Sequence, residues 1–263
     1  MEYLLIFKPC LPLTPVGFGE RVANMYRGRL FYMADTKTWL LWNGNKFQNC
    51  GAENLIKLVR NCIKTLLQEL GKNQIGKANE KIVTRNDLIK AADVYLFTNR
   101  LNEIIKILPT IDGVITAAED FDCIPTMINC KNGMVDMRTG EILPSDPSFL
   151  VSQSVSVIFN PSAICSSFSK FITDICDNDI EMIKFMQVFC GYLFTGLTTE
   201  QRMFVFYGLG ANGKSLLSSI LLSIAGDYGM STPASTLLAG RAGAIRNDYA
   251  RLVNSRIVYC EPA

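Results

Sequence analysis

The run Met203–Ser215, MFVFYGLGANGKS, joins β-branched and aromatic residues to a glycine-rich octapeptide ending in Lys-Ser, and an apolar, helix-prone stretch follows to Ala225. The octapeptide fits G-x-x-x-x-G-K-[ST] at every fixed position, and few arrangements of chain satisfy it. Gly208 and Gly213 permit the dihedrals that turn successive backbone N–H groups inward as an anion nest. A helix starting near Lys214 aims its positive dipole end at the same point. The spacing therefore predicts a strand over Met203–Tyr207, a loop, and a helix over Leu216–Ala225. In that arrangement Gly208, Leu209, Gly210, Ala211, Asn212, Gly213, Lys214 and Ser215 cradle the phosphates of ATP. Lys214 bridges the β- and γ-phosphates as a cation, and the Ser215 hydroxyl ligates Mg²⁺.

Such a site needs an acid at the end of a neighbouring parallel strand to order the metal and polarise water. Glu261 follows the apolar run Ile257–Cys260, and Met230–Pro233 reads as an intervening strand, so strand and helix alternate as a parallel sheet requires. From spacing alone, Glu261 is equally well a polar residue near the end of the sequence.

Composition bounds the rest. With 49% hydrophobic and 19% charged residues the 263-residue chain reads as globular, large enough for one large domain or two smaller ones. A formal charge of +2 conceals an asymmetry: residues 1–110 hold 16 Lys+Arg against 9 Asp+Glu, and residues 111–263 hold 10 against 15. A basic front half suits a polyanion such as DNA, and it equally suits a solvated helical surface. Nine scattered cysteines without histidine exclude mixed Cys/His zinc sites and Ser-His-Asp or Cys-His catalysis; they read as buried thiols in a reducing compartment. The opening MEYLLIFKPCLPLTP lacks a basic n-region and a cleavage site. No apolar stretch reaches the roughly 18–20 residues of a membrane span, so the expectation is a soluble, cytoplasmic protein.

Along the chain, Leu30–Gln48 carries two β-prone runs with turns at Ala34–Asp35 and Asn43–Gly44, predicting a small antiparallel unit. Trp39 and Trp42 are base-stacking candidates, though aromatics in a short hairpin ordinarily serve its packing. From Ala52 the period becomes helical, with Leu55, Leu58, Val59, Cys62, Ile63, Leu66 and Leu70 on one stripe. Residues 71–81, polar and rich in lysine, read as a linker or a loose helix. A second helix is expected from Asn86–Asp87 past Leu101, Ile104 and Ile105 until Pro109. Turn signals at Lys131–Gly133 and Arg138–Gly140 separate short strands, and Val155–Phe159 reads as another. Two helices follow, one through Phe168, Phe171, Ile172 and Ile175, the other from Asp179–Glu181 to Tyr192. The expected domains are residues 1–125, helical with a small sheet; 126–195, a hairpin and helical connector; and 196–263, a partial phosphate-loop core.

Residues 120–263 closely resemble the helicase part of phage and plasmid primase–helicases, members of helicase superfamily 3. The resemblance is carried by DFDCIPTMINCKNGMVDMRTGEILPSDP, FMQVFCGYLFTGLTTEQRMFVFYGLGANGKS, AGDYG and NDYARLVNSRIVYCEPA, with Asn212 before Gly-Lys-Ser as in that family's loop. GFGERVANMYRGRLFYMADTKTWLLWNGNKF resembles the start of the helical domain that precedes the ATPase. The resemblance implies an α/β fold: an AAA+-like parallel-sheet ATPase core, incomplete at its C-terminus and preceded by a mainly helical α+β domain. It implies a ring, typically a homo-hexamer, that uses ATP and Mg²⁺ to translocate on single-stranded or forked DNA in a bacterial or archaeal host, alongside a primase domain or other replication partners. Residue by residue, Gly208–Ser215 become the Walker A loop and Glu261 the Walker B acid, so Lys214 and Glu261 are the catalytic candidates and Ser215 and Glu261 the metal ligands.

The sequence departs from that family in three ways. The sensor asparagine and arginine finger come after Walker B, whereas this sequence ends two residues past Glu261. No second acid accompanies Glu261, since Pro262 and Ala263 follow. No carboxylate cluster precedes residue 50, so primer synthesis is not expected. With an arginine finger worth about 10³–10⁵ in rate, the expectation is nucleotide binding with very slow hydrolysis. The competing readings are a small-molecule phosphate-loop kinase, disfavoured by the long region before the loop, and a GTPase, disfavoured by the absence of N-K-x-D after it. A third is a non-catalytic oligomerisation or DNA-docking module.

Overall fold

The computed structural model describes residues 11–70, 76–78, 81–83, 85–208, 210, 212–236 and 252–261. The chain is mixed α/β with both parallel and antiparallel strand pairs, and it divides into two compact units: residues 1–43 with 47–121, and residues 44–46 with 122–263. No helix among the described residues is long and apolar enough to cross a membrane.

The first unit begins with α1 (Pro15–Met25), entered through Thr14, whose hydroxyl accepts the Gly17 N–H at 3.3 Å while Pro15 presets the first turn. β1 (Leu30–Met33), β2 (Thr38–Trp42) and β3 (Phe47–Asn49) form the antiparallel unit read from the sequence. A later strand, β6 (Ile115–Thr116), adds in parallel to β1 and gives the order β3-β2-β1-β6. α2 (Ala52–Leu70) buries the predicted stripe: Leu55, Val59, Cys62, Ile63 and Leu66 lie in the core, with Leu58 at its margin. Burial pushes the Cys62 thiol up to about 12, so it remains a neutral apolar filler. β4 (Gly76–Ala78) and β5 (Lys81–Val83) pair antiparallel within the stretch expected to be a linker.

The helix expected from Asn86 to Pro109 is two helices, α3 (Arg85–Tyr95) and α4 (Thr98–Ile107), broken at Phe97, which is extended (φ −70°, ψ 141°) and 71% exposed. Ala92 and Leu101 explain the break. They stand nine residues apart, about two and a half turns, and would lie on opposite sides of one straight helix. The break lets both reach zero exposure in the same core.

The second unit contains an antiparallel sheet, β7 (Met127–Cys130), β8 (Gly133–Asp136) and β9 (Ile142–Leu143), turning where the glycine signals predicted. Gly133 is required at φ +149°, since a Cβ there would lie 2.4 Å from the Leu143 carbonyl oxygen. The strand expected over Val155–Phe159 is not formed. That segment bonds alongside β7 only at intervals, Val155 N–H to Asn129 O (2.8 Å) and Lys131 N–H to Val157 O (3.1 Å), and the Asn132 side chain then takes over, accepting the Phe159 N–H and donating to its carbonyl. A side-chain amide displacing ladder bonds ends the strand.

α5 (Ser166–Ile175) and α6 (Ile180–Phe194) follow as expected. Asp179 caps α6 by accepting the Glu181 and Met182 N–H groups at 2.9 and 3.2 Å. α7 (Lys214–Ala225) buries Leu217 and Leu221 against Ile172, Cys176, Met186 and Phe189 of α5 and α6. β10 (Gly229–Pro233) and β11 (Ile257–Glu261) pair in parallel, from Gly229 opposite Ile257 to Pro233 opposite Glu261. α7, β10 and the parallel β11 thus follow the glycine loop in that order, and the helix that the expected alternation puts between the two strands falls on residues 237–251, outside the described residues.

The strand expected over Met203–Tyr207 is the main departure. It joins no ladder among the described residues. Its side chains still alternate. The Phe204 and Phe206 rings meet Phe189 of α6 at 4.6 and 5.7 Å, while Met203, Val205 and Tyr207 are 75%, 66% and 90% exposed. The helix supplies one packing face, and among the described residues the segment has the side-chain period of a strand without a neighbouring strand.

Candidate nucleotide-binding site

The loop that opens α7 is shaped by its glycines. Gly213 lies at φ +82°, ψ −4°, directly before the first helical residue, and Gly208 at φ +150°. A Cβ on Gly208 would come within 2.5 Å of Asn212 Nδ2 and 3.7 Å of Lys214 Nζ, so the absence of a side chain keeps the inside of the loop open. The Lys214 ammonium turns back over the loop, donating to Gly208 O at 3.3 Å and to Asn212 Oδ1. Its charge thus stands beside Gly208 and Asn212. Leu209 and Ala211 lie outside the described residues, and Gly210 is exposed. Ser215, one residue into α7, is exposed, and its carbonyl accepts the Ser219 hydroxyl at 2.8 Å.

Gly213 also has a packing reason to be glycine. An added Cβ would meet Ile175 Cγ2 at 2.7 Å and Phe171 Cε2 at 3.0 Å, both belonging to α5. Gly213→Ala is therefore expected to destabilise the second unit by about 2 kcal/mol, from positive φ and overpacking together. Thermal melting compared with that of Gly210→Ala, where nothing lies within 4 Å of the new methyl, checks the assignment.

Glu261 ends β11, opposite Pro233 on β10, and β11 packs beside α7. The backbone therefore puts this residue at the carboxyl end of a parallel strand beside α7.

Sequence reasoning passed over the far end of α7. There Gly226 turns at φ +57°, and Asp227 accepts the Ser154 N–H at 2.9 Å and its hydroxyl at 3.2 Å while pairing with Lys46. The Tyr228 hydroxyl donates to Gln153 O at 3.2 Å, and the Asn129 N–H reaches it at 3.4 Å. The Arg256 guanidinium lies 4.3 Å from the centre of the Tyr228 ring and donates to Phe194 O at 2.8 Å and Met127 O at 2.7 Å. Together these contacts fasten the C-terminus of the loop helix to the β7–β8 sheet and to α6. The signal was AGDYG, a short polar-aromatic cluster whose residues had no assigned role.

Burial acts to raise the Asp227 carboxyl, but the Lys46 and Ser154 donors outweigh it and hold its pKa below the ordinary 3.8. A depressed folded pKa gives stability that is complete above the unfolded value and is lost as pH falls through the folded one. The stability difference between the protein and Asp227→Asn is accordingly expected to shrink below about pH 4. Thermal melts of both proteins across that range would show parallel curves if Asp227 were uncoupled.

Among the described residues no group of three His, Cys, Asp or Glu side chains stands together as a metal site, and their cysteines are unpaired. A family model described as D5 N terminal like matches residues 19–177, more than half of the chain. No curated protein matches.

Proposed function

The chain belongs to the D5 N terminal like family, a domain of phage and plasmid primase–helicase replication proteins, and from that premise we propose that it is the ATP-dependent DNA helicase component of such a system. The observation that carries the reading is the loop itself. Two positive-φ glycines bracket it, a lysine ammonium stands over it, and a twelve-residue helix begins at its end.

In this reading Gly208–Ser215 hold the phosphates of ATP, and Lys214 exchanges Gly208 O and Asn212 for phosphate oxygens. Ser215 and Glu261 would hold Mg²⁺, which supplies charge neutralisation at the transferring phosphoryl group when bound. Glu261 orients and polarises the attacking water. The AGDYG anchor holds the helix rigid, so that displacement at its N-terminus is passed to the sheet instead of being absorbed. The working assembly is a homo-hexameric ring on single-stranded or forked DNA, in the cytoplasm of a bacterial or archaeal host. The first unit serves assembly or DNA contact.

The test is nucleotide turnover with and without single-stranded DNA. Turnover that DNA stimulates and Lys214→Ala abolishes supports the helicase, and phosphate transfer to a small acceptor replaces it with a kinase. Binding without turnover supports a non-catalytic docking module.

A further inference from the structure

Outside the phosphate loop, the first unit holds an open cavity of about 300 Å³ between β2, the end of β3 and the facing surfaces of α2 and α4. That volume sits at the lower end for small-ligand clefts, about 300–1,000 Å³. Its floor is apolar, with Cys50 and Leu55 only 4% and 2% exposed. One wall is the half-buried Trp39, whose ring also meets Tyr32 at 5.0 Å, so this tryptophan packs the hairpin and faces the cavity at once. Lys37, Asn49 and Asn102 stand exposed at the rim, and no carboxylate lines the cavity.

The chemistry of this lining is specific. An indole wall over an apolar floor accepts a planar aromatic ring by stacking. Carboxamides can both donate to and accept from a base edge, as asparagine does with adenine. One ammonium without an opposing carboxylate suits a phosphate. Residues 1–110, which include every residue of the lining, carry 16 Lys+Arg against 9 Asp+Glu, so the surrounding field also favours an anion.

We infer that this cavity is a nucleotide subsite: Trp39 stacks one base, Asn49 and Asn102 contact its edge, and Lys37 meets its phosphate. A base with its phosphate comes either from a DNA single strand or from a free mononucleotide. The inference draws on the replication reading above only in preferring the strand.

Trp39 supplies its own probe, because the chain has two tryptophans and the other can be replaced by Trp42→Phe. The test uses the full chain carrying Trp42→Phe and Lys214→Ala, so that the phosphate loop contributes nothing to the signal. Trp39 emission is followed while ten-residue oligo-dA, oligo-dT or dAMP is added at low salt. Quenching is expected, with the affinity reduced about ten-fold by Lys37→Ala and by Asn102→Ala, both at exposed positions that the core does not use. Quenching by the oligonucleotides alone assigns the site to a strand, and quenching by dAMP as well assigns it to nucleotides generally. No quenching by any of the three overturns the inference, as does quenching that both rim variants leave unchanged. Neither failure touches Lys214-dependent ATP binding, which is measured separately on the protein with Lys214 intact.

Discussion

Lys214→Ala is expected to weaken Mg-ATP binding about a hundred-fold while leaving the fold unchanged. The ammonium is the only full positive charge in the octapeptide, and a charge-assisted contact to phosphate is worth roughly 1.5–3 kcal/mol. Among the described residues it bonds Gly208 O and Asn212 Oδ1 of its own loop, both at exposed positions, so its removal strands no buried partner there. Titration calorimetry with Mg-ATP, beside a circular dichroism melt, separates the two effects. Equal affinity in protein and variant would place the nucleotide elsewhere. A melt lowered by several degrees would make the lysine structural instead.

Asn129→Ala is expected to have the largest effect on stability, about 3 kcal/mol, corresponding to roughly 6–12 °C in the melting of the second unit. Asn129 is fully buried on β7, and its amide is used on both sides. Nδ2 donates to Asn45 O and Gln153 O, each at 3.0 Å, and Oδ1 accepts from Asn45 Nδ2 at 3.2 Å. Truncation removes these bonds together from a fully buried position and leaves the volume of the amide unfilled, although Gln153 O keeps the Tyr228 hydroxyl as a donor. The sheet's main-chain bonds survive, so near-native helix content with an early thermal transition is the expected signature. A shift below 2 °C would show that water takes the place of the amide.

Local pattern carried a large part of the fold. The stripe from Leu55 to Leu66 is legible because a helix that must bury one face repeats every 3.6 residues, whatever packs against it. The β2–β3 turn and the turns of β7–β9 are legible because Gly44, Gly133 and Gly140 stand there at positive φ, and the β1–β2 turn because polar Asp35–Lys37 interrupts the β-prone runs. The strand Ile257–Glu261 was legible by the same means, as a short apolar run, and β11 pairs in parallel with β10.

The failures share a cause. Met203–Tyr207 and Val155–Phe159 both have the composition of strands, yet a strand is a property of two segments, and neither sequence names its neighbour. Phe189 gives the first a surface to lie on, and Asn132 interrupts the second. The break at Phe97 was likewise invisible, because the helical period runs through it and only the shared core demands that Ala92 and Leu101 point the same way. The anchor beneath α7 joins Lys46, Ser154, Asp227 and Arg256, positions more than two hundred residues apart at their extremes, and no local window contains them.

The octapeptide Gly208–Ser215 is legible as a phosphate-loop motif without reference to the rest, since glycine dihedrals, a lysine charge and a helix start are local properties. How that loop is held is another matter. The packing of Gly213 against α5, the fastening of Asp227 and Tyr228, and the half-made surroundings of Met203–Tyr207 depend on partners distant in sequence. Those contacts exist only once the chain has closed on itself.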